Sequence, residues 1–75
     1  MDTHYFTFGY GHTHPETHED MRDYWIEIIA DSPEKARAKM FELFGNKWGF
    51  HYTERKFMKL YTSFPKGCYQ RIELD

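Results

Sequence analysis

Between residues 4 and 10 the chain alternates with a two-residue period. Phe6, Phe8 and Tyr10 fall to one side, and Tyr5, Thr7 and Gly9 to the other. That period predicts a first strand over residues 4–10. Residues 11–22 then show no apolar period and are rich in histidine, which predicts a long polar connection of the kind that in compact domains tends to be functional or disordered. Residues 24–30 are apolar on both sides, with Tyr24, Ile26 and Ile28 against Trp25 and Ile29, interrupted only by Glu27. A run of that kind predicts a central strand.

The period changes after Ala30. Asp31-Ser32-Pro33-Glu34 is a helix start: with Asp31 as cap, Glu34 takes the third helical position and Pro33 lies in the first turn. Ala36, Met40, Leu43 and Phe44 recur at helical spacing as the buried stripe, and Gly45 ends the helix. Residues 47–53 alternate again, which predicts a third strand with Trp48, Phe50 and Tyr52 on one face and Gly49, His51 and Thr53 on the other. Residues 54–61 suit a short second helix with Phe57, Leu60 and Tyr61 on one face. Ser63 to Gly67 reads as a turn, and residues 68–74 as an edge strand. The predicted fold class is α+β: a β-β-α-β-(α)-β domain over residues 1–75, with a mainly antiparallel sheet and one principal helix packed on one face.

Composition sharpens this picture at one point. The 75 residues include seven Phe, six Tyr and two Trp, 20% of the chain. A domain this short buries only roughly 60% of its unfolded surface, and so many rings exceed what one short sheet and one helix conceal. The surplus predicts a pocket, a groove or a subunit interface, and association into a homo-oligomer. Cys68 is the single cysteine, so no disulfide within the chain supports the fold, and a reducing compartment is the natural setting. A net charge of −2 argues against generic nucleic-acid binding. No cationic and apolar leader or membrane-length apolar run occurs, so a cytoplasmic protein without membrane contact is expected.

Three groups of residues bear candidate chemistry. His12, His14 and His18 stand in the polar connection beside Glu16, Glu19 and Asp20, with His4 upstream. Imidazoles one residue apart suit a transition metal, but neither a cysteine pair nor a His-Glu-x-x-His spacing accompanies them, so a solvated loop is the expectation and no metal or other cofactor is assigned. The second group is aromatic. Phe6, Phe8, Phe50 and Trp25 read as core rings; Tyr5, Tyr10, Trp48 and His51 each carry a polar handle and suit stacking against a base. The third is basic: Arg55 and Lys56, with Lys59 one turn beyond Arg55, suit a phosphate. His12 and His14 would form a lid over such a site. No Gly-x-Ser-x-Gly, P-loop or Rossmann fingerprint is found, so a non-enzyme is expected.

Three stretches carry a resemblance: Tyr5-Phe6-Thr7-Phe8-Gly9, the helix from Ser32 to Phe44, and Phe44-Gly45-Asn46-Lys47-Trp48-Gly49-Phe50. In this order, across residues 4–53, the chain resembles a family of short, uncharacterised bacteriophage proteins with an opening YFTFG strand and an FG.KW.F.Y strand after the helix. The resemblance implies a phage origin and action inside an infected bacterial host, and it specifies no mechanism. In that setting the expected function is anti-defence binding that sequesters a small nucleotide-type immune signal through Tyr5, Tyr10, His12, His14, Trp48, His51, Arg55 and Lys56. The alternative is direct binding and inhibition of a host or defence protein, in the manner of an anti-CRISPR.

Overall fold

A computed structural model describes residues 2–9 and 11–74. The chain runs β1 (Asp2–Thr7), β2 (Tyr24–Ala30), α1 (Pro33–Phe44), β3 (Phe50–Thr53), α2 (Glu54–Phe57), a 3₁₀ turn (Tyr61–Ser63) and β4 (Gly67–Glu73). The strands form one sheet in the order β3-β1-β2-β4. β1 is antiparallel to both β2 and β3, and β2 is parallel to β4. This is a small α+β fold with a mixed sheet and one principal helix. β2 is central and β4 lies at an edge, as their patterns imply.

β1 is shorter than its alternation suggests. Gly9 and Gly11 take positive φ of 70° and 84°, a region open to glycine without steric cost, and the chain leaves the strand there. The polar connection that follows is folded on itself. Thr13 bridges Asp20, the His14 amide donates to the Glu19 carbonyl at 2.8 Å, and the Met21 amide donates to the His12 carbonyl at 3.1 Å. Met21 is fully buried and anchors this hairpin to the core.

α1 begins one residue later than Asp31 would place it. Ser32 is the cap: its backbone is extended, and its Oγ accepts from the Lys35 amide at 3.2 Å. Pro33 opens the first turn, where a missing N–H costs nothing. Glu34 is therefore the second helical residue, favoured by the helix dipole rather than by a capping box. At the other end Gly45, at φ 60°, donates its amide to the Phe41 carbonyl. The buried stripe of α1 is Ala36, Met40 and Phe44, laid on Phe6, Phe8, Ile26, Ile28 and Ala30.

The alternation over residues 47–53 breaks at Gly49. Its amide donates to the Thr7 carbonyl at 2.8 Å, and a Cβ there would stand 3.0 Å from the Phe8 carbonyl oxygen. This close backbone approach delays β3 until Phe50 and turns Trp48 to the α1 side. Trp48, Phe50 and Tyr52 consequently do not share a face. Residues 54–61 likewise do not form a single helix. After α2 the chain continues through bonds from the Leu60 amide to Phe57 and from the Ser63 amide to Leu60, each 2.8 Å. Bonds of that three-residue span stretch the segment, which must reach the opposite edge of the sheet. Phe57 alone is fully buried, while Tyr61 is 47% exposed. Among the described residues no helix is long and apolar enough to cross a membrane.

Candidate binding surface

The two sides of the sheet meet at the β3 edge, and each residue there follows from register. In the β1/β3 ladder Tyr5 lies opposite Tyr52, Phe6 opposite His51 and Thr7 opposite Phe50. Residues directly opposite one another share a face. Tyr5, Tyr52 and Phe50 therefore look toward α2, whereas His4, Phe6 and His51 look toward α1.

On the α2 side, Phe57 stacks on Tyr5 at 4.4 Å and meets Trp25, Phe64 and Tyr52 at 5.1, 5.7 and 6.2 Å. Phe50 extends this group, 6.2 Å from Tyr52. Tyr5 is only 5% exposed, so it is a core ring and not an outward one. Burial, then the charges of Glu27 and Glu54, push its hydroxyl above the ordinary tyrosine range. Phe50 departs from expectation in the other direction. Its sequence reading is a core ring, yet it is 55% exposed: it opens β3, at the end away from α2, on an edge strand.

On the α1 side, His51 stacks on Phe6 at 4.4 Å, and Trp48 presses its ring against the edge of Phe6 at 5.1 Å. The Trp48 indole N–H donates to the Gly45 carbonyl, and Phe41, also 55% exposed, lies 5.4 Å from the indole. Arg37 donates Nε–H to His51 Nδ1 at 3.1 Å, and His51 Nε2 lies 2.9 Å from His4 Nδ1. A neutral imidazole carries one proton. With Nδ1 accepting from Arg37, His51 holds its proton on Nε2 and donates to His4. His4 then carries its proton on Nε2, which is buried without a hydrogen-bond partner. Burial foremost, then His4 and Arg37, lower the His51 pKa to about 4.

The expected site residues are thus divided. Trp48 and His51 meet around Phe6, and Tyr5 lies beneath the opposite face. Arg55 and Lys56 are exposed on α2, where Arg55 joins Asp2, Thr3, His4, Thr53 and Glu54 around a cleft of about 380 Å³. His14 is elsewhere: its Nδ1 accepts from the Glu16 and Thr17 amides at 3.0 and 3.3 Å, and its ring packs near Phe44 and Tyr69. His14 is therefore part of the hairpin and does not form a lid over His51. His12 is half-buried in the same hairpin. Tyr10 lies outside the described residues. Among those described, no three His, Cys, Asp or Glu side chains converge as a metal site.

Arg37 and Phe41 carry no sequence signal for this surface, and Tyr52 carries only the two-residue period of its strand. Arg37 and Phe41 lie off the apolar stripe of α1, and only the fold turns them toward β3. His4 was detectable, since it shares the two-residue period of Phe6 and Phe8. Comparison with protein-family models, with curated proteins and with solved structures gave no match.

Proposed function

We propose that this chain is a non-catalytic binding protein that engages another protein along the β3 edge. The observation that carries this reading is the pairing of an open strand edge with exposed rings on both of its sides, Phe50 on the α2 side and Phe41, from α1 itself, on the other. An edge strand offers unpaired backbone groups to an added strand, while flanking side chains supply affinity and choice. β3 (Phe-His-Tyr-Thr) has no formally charged residue, whereas the other edge, β4, carries exposed Arg71 and Glu73. Charges of that kind blunt an edge; β3 lacks them. The molecular surface of 4915 Å² matches the roughly 4,900 Å² expected for a compact 9.2 kDa protein. The exposed rings are accordingly a local feature and not a sign of loose packing. With the resemblance to phage proteins, the partner best suited is a host or defence protein that presents an extended segment.

The test compares the wild-type protein with Phe41→Ser and Phe50→Ser as bait in extracts of infected and uninfected bacteria, followed by binding to the purified partner. A stoichiometric partner retained by the wild type and lost by both variants, with melting temperatures unchanged, supports the assignment. Equal retention by all three removes it. A native mass twice that of the chain, collapsing to the monomer in the variants, would assign the edge to a second copy instead.

A second reading, sequestration of a small nucleotide-type ligand, draws on the cleft beside Arg55. Asp2 and Glu54 also line that cleft and oppose a phosphate, so the protein-binding reading is preferred. A thermal shift with a cyclic nucleotide or an ADP-ribose derivative, absent in Arg55→Ala, would reverse this preference.

A further inference from the structure

The hydrogen-bonded series Arg37, His51 and His4 runs through the α1 side of this surface, and the contact reading assigns it no role of its own. Each imidazole already uses the nitrogen that an added proton would occupy. His51 Nδ1 accepts from Arg37, and His4 Nδ1 accepts from His51. A proton added at either position would face an existing donor. The titratable or charged groups around the pair are Arg37 from α1, the two histidines from β1 and β3, Asp2 from β1, and Glu54 with Arg55 from α2 at the neighbouring cleft. No carboxylate is hydrogen-bonded to either ring among the described residues. β3 has four residues and pairs on one side only, with β1. Its attachment depends on that short ladder, on the stack of His51 over Phe6, and on the bond to His4.

We propose that the His4–His51 pair is an acid-sensitive latch: proton uptake parts the two rings, loosens β3 from β1, and weakens partner binding at the β3 edge. The effect on binding rests on the reading of β3 as the contact strand; the loosening itself does not. The sign follows from linkage. The attached state holds His51 below its ordinary pKa of roughly 6.5, so the detached state takes up the proton more readily. The latch is therefore fully closed above about pH 6.5 and opens as pH falls toward 4.

Two measurements on the free protein test it. Nitrogen chemical shifts of uniformly labelled protein at pH 7.5 report the tautomers: an unprotonated Nδ1 and a protonated Nε2 are expected on both His4 and His51. Amide hydrogen exchange, corrected for its intrinsic pH dependence, should quicken by up to about tenfold per pH unit below pH 6 at those amides of β3 that donate to β1. The β2 amides should not change, and His4→Phe/His51→Phe should abolish the response. The opposite tautomers, or β3 protection that is constant between pH 7 and 4.5, would overturn the latch irrespective of any partner. A responsive β3 whose partner binding ignores pH would leave the loosening intact and remove the contact-strand reading.

Discussion

The two faces of the sheet carry similar aromatic content but have unequal cover. On one, a helix of twelve residues, about 18 Å long at the standard rise, closes over Phe6, Phe8, Ile26, Ile28 and Ala30 and leaves them fully buried. On the other, α2 has four residues, about 6 Å, and the 3₁₀ turn adds three more. That short cover places one fully buried ring, Phe57, over Tyr5 and Trp25, and it stops short of Phe50. Exposure here follows the reach of the covering element together with the strand's place in the sheet, since Thr7, opposite Phe50 on the inner strand β1, is 2% exposed. Phe6 and Phe50 are chemically identical, and they occupy opposite ends of this scale.

The comparison is broken most severely at Phe6. Phe6→Ala removes the platform for both His51 and Trp48 and leaves a cavity beneath α1, with an expected loss near 5 kcal/mol. Denaturant unfolding measures it, and a loss below about 1 kcal/mol would show that the α1 face is not the main core. Phe57→Ala should cost nearer 3 kcal/mol, since a four-residue helix and its turn can settle into the gap more readily than a long helix. Hydrogen exchange should place that loss around Tyr5 and Trp25 and spare Ile26 and Ile28.

The cover over the α1 face can be loosened more gently at its start. Ser32→Ala should destabilise the fold by about 1 kcal/mol, and Asp31→Ala by a few tenths at most. Equal losses would restore Asp31 as the cap. Comparably small is the expected effect of Phe50→Ser on stability, within about 0.5 kcal/mol, despite the loss of partner binding. A large drop in melting temperature would mean that Phe50 supports the fold, and the contrast between the faces would disappear.

Much of this could be anticipated locally. Residues 24–30 carry their strand in an apolar run broken only by Glu27, and α1 announces its start, stripe and end through Asp31-Ser32-Pro33-Glu34, Ala36-Met40-Leu43-Phe44 and Gly45, although Ser32 and not Asp31 is the cap. The failures have one origin. By period Gly49 is an ordinary strand position, but its lack of a Cβ is used for a close approach to the Phe8 carbonyl, which reverses the side on which Trp48 stands. Similarly, a two-residue period assigned Tyr5 and Phe50 to faces without specifying which face would be covered. The histidine loop drew attention through composition, whereas His4 and His51, 47 positions apart, are the pair brought together.

The amino-acid order on its own determined the succession of main elements, the α+β class, the central place of β2 and the edge place of β4, because these depend on period, caps and turn residues within a dozen positions; the bounds of β1, β3 and α2 it did not determine. Only the tertiary structure decided that β1 lies between β2 and β3, that Arg37, His51 and His4 form a single hydrogen-bonded series, and that Phe41 and Phe50 remain uncovered. Each of those outcomes depends on how far one element reaches across another, a distance that no local pattern of side chains encodes.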